Sequence, residues 1–215
     1  MNGKDPRTPA GVRLVGIVGR IGAGKSTVAR MLADKGARVV DADRLAHEVL
    51  GEEAARLEVR RRFGDGVFGA DGAVDRGALA RLVFGPQRCH AEALLALEAI
   101  VHPRVHERIR AAIDAAGRAA PGTSVVVLDV PLLVKAGWAD VCDVVLLLDC
   151  DDTVRRGRLA ARFSPAQIAA REAAWNRNPP DRLPPEKTVR VDTSGDPAYT
   201  RDQLDRIWHE RLVGA

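Results

Sequence analysis

Val12-Arg13-Leu14-Val15-Gly16-Ile17-Val18-Gly19-Arg20-Ile21-Gly22-Ala23-Gly24-Lys25-Ser26 is the stretch whose reading decides the fold. Residues 12–18 form an apolar, β-branched run that reads as a buried strand. Residues 19–26 match G-x-x-x-x-G-K-[ST], and residues 25–35 continue with helical spacing until Gly36 stops them. Strand, glycine-rich loop and helix in that order are the context in which this motif binds phosphate. The glycines let the backbone curl so that successive N–H groups converge on one anion, and the helix N-terminus adds partial positive charge. The expected nucleotide contacts are Gly19, Arg20, Ile21, Gly22, Ala23, Gly24, Lys25, Ser26 and Thr27. Lys25 would neutralise the β- and γ-phosphates, and Ser26 would ligate Mg²⁺. The competing reading is a glycine-rich helix entry with no ligand; the full motif in its context weighs against it.

Working outward, residues 37–41 read as a second short strand, so the first unit is βαβ with parallel strands and a right-handed crossover. From 44 to about 117 strand character is scarce. Helical patches at 43–50, 52–63, 76–84 and 91–116 are separated by Gly64-Asp65-Gly66 and Gly69-Ala70-Asp71-Gly72. Apolar runs at 125–129 and 144–149, each ending in Asp, continue the parallel sheet. Residues 153–178 read as helical and arginine-rich, followed by Pro179, Pro180, Pro184 and Pro185 in a loop. A last short strand is predicted at 189–191 and a closing helix at 201–212. The architecture is α/β, a core with a helical excursion and a basic one. The expected core is 11–43, 121–153 and 186–215, the helical insertion 44–120 and the lid 154–185.

Asp129 closes an aliphatic strand, where an acid beside a phosphate loop holds Mg²⁺ or its water shell; by itself it would cap a turn. Asp41 and Asp43 close the second strand, and strand alternation puts both carboxylates on one side, at the edge where ligands bind in open α/β sheets. Asp43 either accepts a proton from a substrate hydroxyl or caps the next helix. The arginines from 155 to 171 are either a solvated helix face or a lid that brings positive charge over a transferring phosphate. His102-Pro103 sits mid-helix by pattern, and Pro103 should kink or start a helix. The histidines have no ligand-like spacing, so no metal-binding histidines are expected.

The chain has 215 residues, 33 Lys plus Arg against 29 Asp plus Glu, and a formal charge of +4. Hydrophobic residues at 46% and charged residues at 29% fit a globular protein with a real core. Aromatics at 4% argue against base stacking as its main business, so no nucleic-acid partner is expected. Cys89, Cys142 and Cys150 form no CxxC and cannot all pair; Cys142 and Cys150 flank an apolar run and read as small buried hydrophobes. The first ten residues contain no apolar h-region, and the longest aliphatic run, 144–148, is far short of a membrane span. A cytoplasmic protein without membrane partners is expected.

Taken together these residues resemble the dephospho-coenzyme A kinase family. Gly16 to Ser26 is similar to that family's opening, Val40-Asp41-Ala42-Asp43 to its D-x-D segment, and Leu97-Glu98-Ala99-Ile100-Val101-His102-Pro103 to its L-E-x-I-x-H-P helix. Asp129-Val130-Pro131-Leu132-Leu133 resembles its D-x-P-L-L, and Asp192-Thr193-Ser194-Gly195 its D-N-S-G. The resemblance runs from about 12 to 210. It implies a P-loop kinase core with a five-stranded parallel sheet, a helical domain for the acceptor and a helical lid. The implied reaction is ATP-dependent phosphorylation of the ribose 3′-hydroxyl of dephospho-coenzyme A, with ATP as donor and Mg²⁺ as metal. By the same resemblance Asp43 would be the base, Lys25 the phosphate clamp, Arg158 and Arg162 the lid arginines, and Ser26 and Asp129 the metal ligands. The chain would work as a monomer or weak oligomer. Arg20 stands where the family usually has Gly, Thr193 replaces its Asn near the adenine position, and Val134 and Lys135 replace an aromatic and a Glu. Two other readings remain open at this point: a kinase of another small molecule or nucleoside monophosphate, and a non-catalytic nucleotide-binding switch.

Overall fold

The computed structural model describes residues 8–84, 87–119, 124–131, 133–176 and 183–214. Residues 1–7, Leu132, Arg177, Pro179 and Pro180 lie outside them. The strands are β1 (Val12–Gly19), β2 (Arg38–Asp41), β3 (Ser124–Asp129), β4 (Val144–Asp149) and β5 (Thr188–Asp192). In chain order the helices are α1 (Lys25–Asp34), α2 (Ala42–Gly51), α3 (Glu53–Phe63), α4 (Arg76–Val83), α5 (Arg88–Arg118), α6 (Trp138–Val141), α7 (Asp152–Ala160), α8 (Pro165–Asn176) and α9 (Pro197–Ile207). The chain divides into two units, Met1–Asp41 with Ala112–Ala215, and Ala42–Ala111.

In the first unit the strands are all parallel, in the order β2-β3-β1-β4-β5. This is the arrangement of an α/β P-loop kinase core, and β1 lies at its centre, which explains why its residues are apolar on both faces. The strands end in two steps: Asp41 pairs with Asp129 and Asp149 with Asp192, but Gly16 pairs with both Leu128 and Val145, so β4 and β5 reach farther than β2 and β3. Val15, Ile17, Val125, Val127, Leu146, Leu148 and Val191 pack on one face against Val28, Met31 and Leu32 of α1 and Leu204 and Ile207 of α9. Each fully buried Leu or Ile there contributes about 1.5–3 kcal/mol relative to exposure. Counting by twos along β2 from Val39 and along β3 from Val127 puts Asp41 and Asp129 on that same face, the side of α1.

Local chemistry moves several expected boundaries. Residues 153–178 are two helices. α7 ends at Ala160, and Ser164-Pro165 opens α8 with a reciprocal cap: the Ser164 N–H donates to Gln167 Oε1 at 3.0 Å and the Gln167 N–H to Ser164 Oγ at 3.4 Å. The closing helix starts at Pro197 rather than 201, because Asp196 caps it by accepting from the Tyr199 N–H at 2.8 Å, and it runs on into a π-helical turn, Trp208–Val213. Pro103 does not start a helix. α5 runs through it, and the carbonyl of Ile100 receives the Arg104 guanidinium at 2.7 Å.

In the second unit, charge pairs stitch α5 to the shorter helices. Arg104 Nη2 donates to Glu58 Oε1 at 2.7 Å, which raises the Arg104 pKa, and Arg108 pairs with Glu52 and Glu48. A shallow, open depression lies along α5, lined by Leu95, Glu98, Ala99, His102, Pro103 and His106. Among the described residues no helix is long and apolar enough to cross a membrane.

Candidate phosphate-binding site

The loop between β1 and α1 takes its form from its glycines. Gly22 has φ +82°, and a Cβ there would stand 2.9 Å from Leu159 Cγ and 3.1 Å from Arg155 Cγ. A side chain is excluded twice, by the left-handed backbone and by α7 pressed onto the loop. Gly24, φ +90°, caps α1 without a side chain, and its carbonyl accepts from the N–H groups of Thr27 and Val28, both at 3.0 Å. The first-turn amides of α1 thus open at the carboxyl edge of the sheet, the usual ligand edge of this architecture. Lys25 heads that helix, and its Nζ donates to the carbonyl of Gly19 at 2.8 Å, so the ammonium is folded back over its own loop. Ser26 is exposed at the same helix start.

Asp129 ends β3 beside the register partner Asp41. Among the described residues no group of three or more His, Cys, Asp or Glu is arranged to hold a metal ion. The Ser26 hydroxyl and the Asp129 carboxylate are oxygen donors of the kind magnesium takes, and an ion that arrives on nucleotide phosphates keeps waters and would need only one or two protein ligands.

Asp43 is a correction to the strand reading. β2 ends at Asp41 and α2 starts at Ala42, so Asp43 lies in a helical first turn and the period-two argument for a shared side with Asp41 does not hold. The chain still keeps it close, since two residues span at most about 7 Å between Cα atoms.

The lid arginines also differ from the expectation. Arg158 and Arg162 are four apart, but α7 stops before Arg162, so they do not share a helix face. Arg158 Nη2 donates to the carbonyl of Thr193 at 2.8 Å, and its Nη1 lies 3.4 Å from Cys150 Sγ. Arg162 is exposed in the turn after α7, its guanidinium 5.7 Å from the centroid of the Phe163 ring. Cys150 is only half-buried, unlike Cys142, whose thiol burial pushes up to about 12.

Arg155 was not singled out by sequence pattern, and it is 1% exposed. It donates from Nε to Asp152 Oδ1 at 3.0 Å, from Nη1 to the carbonyl of Ile21 at 3.3 Å and from Nη2 to Glu172 Oε1 at 2.7 Å. Burial pulls its pKa down, but the hydrogen bonds to Glu172 and Asp152 outweigh that and hold it above the ordinary value. In turn, the hydrogen bond from Arg155, with Arg155, Arg20 and Arg156 as nearby charges, holds the Asp152 carboxyl below the usual range. Thr193, 4% exposed, is the second residue whose role needed coordinates. Its hydroxyl lies 2.9 Å from the carbonyls of both Ala23 and Asp149, joining the phosphate loop to the end of β4. The neighbouring Asp192 carboxyl is lowered by hydrogen bonds from Ser194.

The family model described as dephospho-CoA kinase matches residues 13–178. A curated dephospho-CoA kinase of Cutibacterium acnes is 38% identical over 95% of this chain and 87% of its own length. The corresponding protein of Leifsonia xyli subsp. xyli is 39% identical over 92% of this chain and 98% of its own. A crystal structure from Thermus thermophilus superposes with a TM-score of 0.73 at 34% identity, covering 92% of this chain and 97% of that one.

Proposed function

The chain belongs to the dephospho-CoA kinase family, and we propose that it transfers the γ-phosphoryl group of ATP to the ribose 3′-hydroxyl of dephospho-coenzyme A, giving coenzyme A and ADP. The observation that carries this reading is the phosphate loop: left-handed glycines, a lysine at the head of α1 and two strand-end carboxylates in register, all at one edge of the sheet.

In this reading the loop amides and Lys25 bind the β- and γ-phosphates and stabilise the charge on the transferring group. Ser26 and Asp129 would hold Mg²⁺, which neutralises phosphate charge when bound. Arg158 and Arg162 add positive charge from the lid, 154–185. Asp43 orients the acceptor hydroxyl and takes its proton as the new O–P bond forms and ADP leaves with the electrons of the broken one. The helical segment 44–120 would receive the pantetheine and diphosphate end of the acceptor, and 11–43, 121–153 and 186–215 would form the nucleotide core. The protein works in the cytoplasm as a monomer or weak oligomer, with no nucleic acid or membrane as partner.

Coupled ADP release with dephospho-coenzyme A, with AMP and with no acceptor tests this. Dephospho-coenzyme A should exceed AMP by several powers of ten in kcat/KM, because remote binding energy is used at the reacting centre. Equal efficiency with AMP would make the chain a nucleotide kinase, and acceptor-independent release would make it a nucleotide switch. In the same assay Asp43→Asn should lose about 100-fold or more in kcat, the low end for a general base, with little change in Tm. A stable, fully active Asp43→Asn, or a dead Asp41→Asn beside it, assigns the base elsewhere.

A further inference from the structure

Helix α8 has no buried side chain among those described; Ile168, Glu172 and Trp175 are half-buried and the others exposed. Its tie to the phosphate loop is ionic. Glu172 Oε1 faces Arg155 Nη2 at 2.7 Å and Arg20 Nη2 at 3.5 Å, while Asp152 Oδ1 accepts from Arg155 Nε at 3.0 Å and Arg20 Nη1 at 3.1 Å. Two guanidinium groups therefore share two carboxylate oxygens, but they are not equivalent. Arg155 is sealed from solvent, and its Nε, Nη1 and Nη2 all donate. Arg20 keeps 38% of its side chain exposed, its contact to Glu172 is the longest of the set, and its Nε is buried with no acceptor among the described residues. Arg155 is the fixed corner and Arg20 the exchangeable one. Arg20 is also the second residue of the phosphate loop, so Glu172 is an anion held beside an anion-binding site.

We propose that Arg20 and Glu172 form a nucleotide-released latch. Without nucleotide, Arg20 holds α8 onto the phosphate loop; phosphates entering the loop draw Arg20 from Glu172 and loosen the helix. A phosphate that takes the Arg20 Nη2 donor takes it from Glu172 and leaves α8 held by Arg155 alone, so helix docking and nucleotide binding oppose each other, and linkage requires the same factor in both directions. Glu172 acts through Arg20 and is a positioning residue. The release step rests on the reading of the loop as a nucleotide site.

The test is amide hydrogen exchange over 165–176 in the full chain, with the affinity for the β,γ-imido analogue of ATP measured by calorimetry. Wild type, Glu172→Gln, Arg20→Gln and the double variant are compared. Glutamine keeps the shape of glutamate and removes its charge. Glu172→Gln should raise α8 exchange about tenfold without nucleotide and tighten the analogue about threefold or more. Arg20→Gln should loosen α8 and weaken the analogue, and the double variant should show no tightening. Saturating analogue should raise α8 exchange in wild type but not in Arg20→Gln. A general loss of structure moves affinity and protection down together, so their opposite movement is the signature. If Glu172→Gln weakens binding in step with a lower Tm, or leaves α8 exchange unchanged, the latch is wrong. Should Glu172→Gln fail to fold, the rise of α8 exchange on adding saturating analogue, present in wild type and absent in Arg20→Gln, carries the test, and no rise in wild type overturns the latch. A wild-type chain that binds no analogue overturns the nucleotide reading and the release step with it; the holding step is then judged by nucleotide-free exchange in the same proteins.

Discussion

The phosphate loop and the arginine-rich segment of α7 and α8 lie against one another, both bring positive charge to one place, and they are built on different rules. The loop is made of main chain. Its shape follows from φ values of +82° at Gly22 and +90° at Gly24, and its anion donors are amides that neither titrate nor change rotamer. The segment is made of side chains whose partners are distant in sequence: Ile21 and Glu172 for Arg155, Thr193 for Arg158. A main-chain site is preorganised as soon as its turn forms. A side-chain site exists only after the rest of the unit has folded, and it is correspondingly easier to exchange, screen or protonate.

The largest effect should come from the one side-chain charge at the head of the loop's helix. Lys25→Ala leaves the amides in place but removes the ammonium now folded over Gly19, and kcat/KM should fall about 10²–10³-fold with weakened ATP binding. Wild-type turnover in that variant would mean that the loop is not the catalytic nucleotide site. A smaller effect should separate the two lid arginines. Arg158 is committed to the Thr193 carbonyl, so Arg158→Ala should lower Tm and raise KM for ATP. Arg162 is exposed beside the Phe163 ring, so Arg162→Ala should lower kcat by about tenfold with less change in KM, as for a group that meets charge developing in transfer. Equal profiles for the two would erase the distinction. The smallest effect is on acid stability. Asp152 has its folded pKa lowered by Arg155, so its stabilisation is present above the unfolded value of about 4 and is lost as pH falls through the folded value. Thermal melts from pH 6 to pH 3 should show wild type losing an increment of Tm below about pH 4 that Asp152→Asn lacks.

The same division explains what could be read from sequence. All five strands, the helix after the loop and the motif itself follow from local rules, namely apolar runs, glycine positions and the βαβ order. The split between α7 and α8 was also locally encoded, in Ser164-Pro165-Ala166-Gln167, but the arginine spacing across it suggested one continuous helix. The shared side of Asp41 and Asp43 does not follow from the sequence, because a strand's alternation cannot be carried past the residue where the helix begins, and Ala42 gives no local sign of that change. Arg155 was illegible for another reason. A buried arginine and a solvated one look alike in sequence, and only Glu172 and the Ile21 carbonyl distinguish them. Thr193 was visible as a departure from the family pattern, while its bond to Ala23 was not.

The strand order has a consequence for how the chain reaches this state. β2 and β3 are neighbours, yet the chain leaves the sheet after Asp41 and returns at Ser124. Closing a loop of that length costs about 4 kcal/mol in its length-dependent part before any β2–β3 contact is made. The segment between them, 42–111, is a continuous unit rich in local helical contacts, whereas the sheet unit is assembled from two separated stretches. Segments with local contacts form quickly and long-range parallel pairing slowly. The inserted helices are therefore expected to form ahead of the sheet they interrupt, with the phosphate loop, whose strand must pair with both β3 and β4, in the slower half; pulse-labelled amide exchange during refolding should protect 42–111 before β1.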